Sequence, residues 1–505
     1  MAKTKNKAQR LYWGQEYPYL PKLDLLAVQL DSYKWFLEEG IAEVLAEVSP
    51  IDDFTGKNFN LTFSKHKLLK PSLTPELALE KGLTYDMPLR VEATLLNKQT
   101  GDTIKQEVFL GDIPKMTQRA TFIINGIERV VVNQLVRSPG VFFTGTPDPI
   151  AGKTLFTAEL RPLRGSWLEF GITRNNIMTV RIDRRKKFFA TTFLRAIGIS
   201  SDEQIREAFA FLGSELIERF IEPTIKKDPT KSTVEASLEI YKKMRPGEPT
   251  VLENAQEFLQ NMFFNNRRYD VGKVGRFKLN KKLRLETLNA KENWILTKGD
   301  IKETIAYLIR LTQGEGEIDD IDHLANRRVR CVGELVASTA FRVGLLRLER
   351  MVKEKMTLLG SSEGLVPAQL INARPVIASI NEFFRTSQLS TILDQTNPLS
   401  EIDNLRRLTV MGTGGISRER ASFSIRDINA SQYARIDPVR SPEGPNIGLV
   451  TYMTLFARVN EYGFLEAPYR RVKKEKHGRK TRMRVTDEIV YLTADDEQHH
   501  FVTHA

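Results

Sequence analysis

Hydrophobic and polar positions change their period at a few sharp places along the chain, and the expected elements follow from those changes. From Leu25 to Val48 apolar residues recur at helical spacing, which predicts one or two amphipathic helices. From Phe59 to Val132 the pattern becomes strand-like. VEATLLNK and QEVFLGDI are joined by Gln99-Thr100-Gly101-Asp102, and Asn125-Gly126 separates two β-rich runs, both hairpin signals. Arg137-Ser138-Pro139-Gly140 closes that block. TLFTAELRP, SWLEFGIT and MTVRIDRR predict further strands, and helical period follows at 202–221 and 251–264, separated by the charged linkers KKDPTKST and RPGEP. AFRVGLLRLERMVKEKM, from Ala340, predicts a long helix.

From Phe383 to Leu449 the apolar runs are too short for long helices and alternate with turn-formers: Asn397-Pro398, Gly412-Thr413-Gly414-Gly415 and SPEGPNIG from Ser441. The stretch reads as loops on a scaffold. Beyond it, NEYGFLEAPYRRV predicts short strands and KKEKHGRKTRMR a basic hairpin tip or linker. VTDEIVYLTADDEQHHFVTHA reads as alternating strand that stops without a cap, as a broken-off element would. The expected fold is a multi-domain α+β chain of mixed sheets and helices. Residues 1–139 start a first domain, 140–325 form a second inserted in it, and 326–382 complete the first. The loop-rich part is 383–460, and 461–505 begin a further, incomplete β-rich domain.

Length and charge narrow the picture. A chain of 505 residues exceeds the size of one hydrophobic core, so ~2–4 domains are expected. Hydrophobic residues at 41 % and charged residues at 27 % exclude a disordered chain. The net charge of +12 and pI of about 9.4 favour a polyanionic partner, a balance shared with ribosome-bound and membrane-surface proteins. Cys331 is alone, which excludes an internal disulfide or a cysteine zinc site and fits a reducing cytosol. No apolar run reaches membrane-spanning length and the N-terminus has no signal-peptide core, so a soluble cytoplasmic protein without membrane contact is expected. Residues 1–10 read as a basic tail.

The motifs with chemical potential are few. GTPDPIAGKT, Gly145 to Thr154, has six residues between its outer glycines where a phosphate-binding loop needs four, and reads as a surface turn. Glu317, Asp319, Asp320 and Asp322 precede HLANRRVR and read as helix-capping acids paired with the following arginines rather than as a metal site. His499, His500 and His504 beside Asp495 and Asp496 lack a legible second shell. No metal site is expected. Between Phe383 and Leu449 stand eight Arg (385, 406, 407, 418, 420, 426, 435, 440) and no Lys; no Lys occurs from Met356 to Val472 at all. Arg presents a planar fork that meets two phosphate oxygens or a base edge at once, whereas Lys is a mobile point charge. Seven acids in the same stretch permit a structural ion-pair network as the bland alternative. The pattern favours nucleic-acid or nucleotide contact, with glycines beside Arg418 and Arg420 allowing close approach of a ligand.

At SQLSTILDQTNPLSE, GGISRERASF and SPEGPNIGL, in that order and spacing, the chain resembles the fork of the bacterial-type β subunit of DNA-directed RNA polymerase. The likeness runs from about Tyr12 to the end, through INGIERVVVNQLVRSPGVFF, RPLRGSWLEF, VRIDRRKK, FFNNRRYDVGKVGRFKLN, DDIDHLANRRVRCVGE and NEYGFLEAPYRRV. It implies an N-terminal, apparently truncated part of that subunit, with 140–325 as a lobe inserted in a protrusion domain and 383–460 as the fork. It also implies nucleotidyl transfer only within an assembled enzyme of β, β′, an α dimer, ω and sigma, located in the cytoplasm at the nucleoid and acting on DNA, RNA and NTPs. Catalytic residues are expected outside this chain, with Mg2+ held by β′. By matching position, Arg418, Glu419, Arg420, Pro442, Glu443 and Asn446 would line the cleft. Trp167, Asp183, Arg184, Asp322, Arg327, Arg418 and Arg420 would touch nucleic acid. A rifamycin-type inhibitor pocket would comprise Gln388, Leu389, Thr391, Ile392, Asp394, Asn404, Arg407, Thr409, Met411 and Arg418. Thr391, Ile392, Asn404, Thr409 and Met411 depart from the family's common Gln, Phe, His, Ser and Leu, which implies weak rifamycin binding. A non-catalytic nucleic-acid-binding scaffold and a natural split half-subunit are the alternatives.

Overall fold

The computed structural model describes residues 23–150, 152–359, 365–477 and 480–503. The basic segment 1–10 and His504 lie outside the described residues. Helices and several sheets coexist, as the period changes predicted. Ala27–Val48 is helical throughout, with a π turn at Phe36–Gly40. A four-stranded antiparallel sheet follows in the order Ile51–Asp52, Phe59–Leu68, Asp86–Asn97, Thr103–Pro114. The last two strands are the hairpin read from Gln99 to Asp102. Asn125 and Gly126 have φ of 51° and 74°, the left-handed pair that a two-residue hairpin between Phe122–Ile124 and Ile127–Val131 requires. Helices Arg342–Leu358 and Arg374–Thr386 pack against these sheets, and one apolar core unites Tyr33–Val131 with Val332–Leu405.

The intervening chain has a core of its own, from Val141 to Leu311. Its antiparallel sheet runs Lys186–Phe189, Met178–Ile182, Leu168–Ile172, Lys153–Arg161, Gly140–Asp148, with helices closing one face. Residues 145–154 span the ends of the last two of these strands and the connection between them, of which residue 151 lies outside the described residues, and Arg174 pairs with Asp148.

The two passages into and out of this inserted part lie side by side. Asn133–Arg137 pairs antiparallel with Arg327–Arg330 on one side and parallel with Arg407–Thr409 on the other, and Val450–Tyr452 completes the sheet. HLANRRVR therefore ends in a strand, not the helix expected after the acids. Arg328 and Val329 find ladder partners in Val136 and Leu135, a pairing 190 residues away that no local signal announces. The acids cap other things: Asp319 Oδ2 accepts from Phe143 N at 2.8 Å and Oδ1 from Lys282 at 2.7 Å.

Leu465–His477 and Lys480–Thr493 form a long antiparallel ribbon; residues 478 and 479 of the basic stretch, read as a hairpin tip or linker, lie outside the described residues. The residues after it correct a further expectation: Ala494–Glu497 is a helical turn closed by a capping box between Thr493 and Asp496, because Thr493 and three acids in the first turn are an N-terminal helix signature. Asp495 pairs with Lys281 at 2.6 Å. Among the described residues no group of three or more His, Cys, Asp or Glu is placed to hold a metal ion, and no helix is long and apolar enough to cross a membrane.

Candidate nucleic-acid interface

The small sheet that stitches the passages together also forms a wall of a cavity of about 1100 Å³. The first core, the inserted part and the loop-rich segment all contribute to it: the helix Ile41–Val48, Arg137, the segment from Arg161 to Trp167, Arg327, Arg328 and Arg330, Glu334, Arg342, and the loop residues Val410, Gly414, Gly415, Ile416 and Ile425. With Arg267 and Lys291 the lining carries eight Arg and one Lys against four carboxylates, Glu43, Glu47, Asp270 and Glu334.

Much of this charge is balanced internally. Glu47 accepts from Arg164 at 2.6 Å and from Arg342 at 2.7 Å. Glu334 is shared by Arg328, at 2.9 Å for one of its bonds, and Arg330 at 3.3 Å. Burial disfavours the Glu334 charge, but these two guanidiniums prevail and hold its carboxyl below the usual range.

Arg327 is different. It is 4 % exposed, its Nη2 has no hydrogen-bond partner, and burial pushes its guanidinium down to about 10. Asp322 is the first charge opposing that effect, and its own Oδ1, 3.9 Å from Arg137, also lacks a hydrogen bond. The Nε atoms of Arg137 and Arg164 and Nη1 of Arg161 are unpartnered as well. A buried donor left without an acceptor costs about 1–3 kcal/mol. A cavity with several of them is complementary to a ligand rich in acceptor oxygens or base edges.

Trp167 stands at the rim, 38 % exposed, with the guanidiniums of Arg161 and Arg184 at 4.9 and 5.1 Å from its ring. Asp183 pins it from below: its Oδ1 accepts from Trp167 N at 2.8 Å, and its own N–H donates to Trp167 O at 2.9 Å. Arg184 is paired with Glu159 at 3.2 Å. The structure thus brings Trp167, Asp183 and Arg184 into one cluster. Arg137, which feels the charges of Arg161, Asp322 and Arg184, links it to Asp322 and Arg327.

The arginines of the loop-rich segment divide into two kinds. Arg435 is fully buried and donates to the carbonyls of Leu465, Ser431 and Leu492 while pairing with Glu497 at 2.5 Å. Arg406 is buried against the carbonyls of Leu25 and Thr454. Arg426 clasps the SPEGPNIG turn through Pro445 O at 2.9 Å and Ile447 O at 2.8 Å, and Arg440 is bidentate to Asp403 at 2.7 and 2.8 Å. These four are struts: Arg435 and Arg440 pair with acids, as the structural alternative allowed, and Arg406 and Arg426 hold backbone carbonyls. Arg385 donates to Asn125, and Arg407 lies over the Tyr452 ring at 5.8 Å. Arg418 and Arg420 alone of the eight are exposed with no side-chain partner among the described residues; they flank exposed Glu419 in a single 3₁₀ turn. Glu443 is exposed as well, and Pro442 and Asn446 are half-buried, Asn446 with an unsatisfied Oδ1.

Residues 137–330 match the model for RNA polymerase Rpb2, domain 2, and residues 391–459 the model for RNA polymerase Rpb2, domain 3. The chain is 48 % identical over 476 residues, 94 % of its length, to a DNA-directed RNA polymerase subunit beta from Trichormus variabilis. One from Nostoc sp. shows the same 48 % identity over the same 94 %. The chain belongs to the bacterial-type RNA polymerase β-subunit family. It spans about two fifths of the length of these relatives, 41 % and 40 % respectively.

In this β-family chain Gly412 and Gly415 of the loop-rich segment are required by the chain's own packing. A Cβ on Gly412 would meet Leu389 at 2.8 Å, and one on Gly415 would meet Val410 O at 2.3 Å. The loop is held there by Gln134, whose amide donates to Met411 O at 3.0 Å and Thr413 O at 3.1 Å and accepts from Arg330 at 3.2 Å. The close approach expected of a ligand is made by the chain itself.

The ten inhibitor-pocket positions fall on and around the strands Ser390–Ile392 and Arg407–Thr409, which belong to different sheets. Gln388, Ile392, Asp394 and Arg418 are exposed, Thr391, Arg407 and Met411 half-buried, and Leu389, Asn404 and Thr409 buried. Sequence reasoning passed over Arg137, Arg161, Arg164, Arg328 and Arg330 as site residues. The signal was available, because each stands in an Arg-only run beside a Pro or Gly turn or an acid cluster, LVRSPG, RPLRG or NRRVR.

Proposed function

We propose that this chain forms part of the β subunit of a cytoplasmic, nucleoid-associated DNA-directed RNA polymerase, and that its arginine-rich cavity holds DNA beside the cleft where the duplex opens. The observation that carries this reading is Arg327: a buried guanidinium with an unused donor, in a cavity with five more cations than carboxylates. Leaving such a donor unmatched opposes folding, so its presence favours a ligand that supplies the acceptor. Arg327, Asp322 and Arg137 together offer donors and an acceptor to a base edge, and Trp167 offers a stacking face. Arg418 and Arg420, free at the fork tip, position the backbone by phosphate contact without reading sequence.

Template-directed synthesis from NTPs would require β′, the α dimer, ω and sigma, and this chain alone is inactive on this reading. In such an enzyme Mg2+ supplies two-metal activation of the RNA 3′ hydroxyl, and its ligands are assigned to β′. This chain's residues bind, orient and confine the nucleic acid. The test is Arg327→Gln in the assembled enzyme, with promoter-complex stability measured by filter retention. Roughly tenfold faster dissociation is expected from the loss of a charged buried contact. Unchanged lifetimes on every template would reject the cavity as the DNA site.

A further inference from the structure

The ribbon Leu465–His477/Lys480–Thr493 is not used by that reading, and its outer half has an unusual composition. Between Arg470 and Arg484 the sequence holds nine Lys and Arg against one acid, Glu475. Successive residues of a strand face opposite sides, yet Val472, Lys473 and Lys474 are all exposed, as are Met483, Arg484 and Val485 across from them. Both faces therefore stand clear of the body of the protein. Over the eight residues from Arg470 to His477 the strand extends roughly 25 Å.

The register sets Lys473 directly opposite Arg484. Lys473 and Lys474 have no carboxylate partner among the described residues, whereas Arg471, nearer the base, is paired with Glu488 at 2.8 Å. A surface charged only for solubility mixes the two signs. Here one sign is concentrated on a two-stranded ribbon, the shape that the major groove of DNA, about 12 Å wide, admits.

We propose that this ribbon is a second DNA-contact surface, separate from the cavity, which grips the backbone of duplex DNA without reading its bases. Phosphates laid against it neutralise Lys473 and Lys474 and release condensed counterions. The contact is therefore sequence-independent and steeply salt-dependent. It extends the hold on the duplex beyond what the fork and cavity reach.

The test uses the full chain and a labelled random-sequence duplex about 30 bp long, followed by fluorescence anisotropy at several salt concentrations. For Lys473→Ala/Lys474→Ala the slope of log affinity against log salt is expected to flatten by about two, and for Lys473→Glu/Lys474→Glu the affinity to fall at least tenfold near 0.1 M salt. Both pairs are exposed, and an unchanged thermal midpoint confirms the fold. Arg327→Gln and Arg418→Ala/Arg420→Ala, run in parallel, separate this surface from the cavity and fork: the ribbon pair must lower affinity in those backgrounds as well. Unchanged affinity and slope in the ribbon variants overturn the proposal. So does a loss confined to polyglutamate, which would indicate an acidic protein partner, or to anionic phosphatidylserine vesicles, which would indicate a lipid surface.

Discussion

The cavity wall and the fork both concentrate arginine, and they use it in opposite ways. In the loop-rich segment Arg435 is satisfied through all three of its nitrogens, on backbone carbonyls and Glu497, and Arg406 spends its two terminal nitrogens on the carbonyls of Leu25 and Thr454 while its Nε stays unpartnered; both hold loops that lack regular hydrogen bonding of their own. In the cavity wall Arg327, Arg137, Arg161 and Arg164 are buried or half-buried with donors left over. A buried arginine whose bonds run to the carbonyls of distant loops is structure, and one that lines the cavity with a donor to spare has something left for a ligand. Exposed arginines such as Arg418 and Arg420 are a third case, available to a ligand at little desolvation cost.

Four substitutions test that division, in order of expected effect. Arg435→Met removes a fully buried charge while leaving Glu497 and three carbonyls unpaired, and should destabilise the chain by about 3–5 kcal/mol in chemical denaturation. If the stability is unchanged, the strut assignment is wrong. Glu334→Gln strands Arg328 and Arg330 and should cost about 2 kcal/mol near neutral pH. The sign with pH follows from the lowered carboxyl: the wild-type advantage is full above the ordinary Glu range near 4.5 and is lost as pH falls through the folded value below it. Denaturation midpoints of both forms between pH 3 and pH 7 check this, and a gap that persists at the acid end would remove Glu334 from the account.

Arg327→Gln should leave stability unchanged or raise it slightly, since a desolvated charge is removed, while DNA affinity falls about tenfold, or 1.4 kcal/mol. A stability loss without an affinity loss would move Arg327 into the company of Arg435. The smallest effect is expected for Arg418→Ala/Arg420→Ala. Stability should stay within about 0.5 kcal/mol, binding should weaken a few-fold on every sequence, and the salt slope should flatten by about two. A sequence-dependent loss would show that these two read bases.

How much of this was legible beforehand depends on how local each signal was. The hairpins at Gln99–Asp102 and Asn125-Gly126 and the helix Arg342–Leu358 were readable, because turn chemistry and apolar spacing act over a few residues. The strand Arg327–Arg330 was not, since its ladder partner is Asn133–Arg137. The final helical turn at Ala494–Glu497 was missed although Thr493 and three acids announced it. Trp167, Asp183 and Arg184 could be grouped only by resemblance; their geometry follows from a turn at residues 183 and 184, both with positive φ, that returns the chain to Trp167.

By itself the sequence determined the α+β character, the abundance of positive charge, the exclusive use of arginine through the fork, and the family. Which arginines are struts and which are free was decided only when the chain closed on itself. The partners that settle the question, Glu497 for Arg435, Asp403 for Arg440 and none for Arg327 Nη2, come from 37 or more residues away or do not exist. Side-chain type sets how many donors a residue brings; burial and the acceptors met in three dimensions set how many remain for anything else.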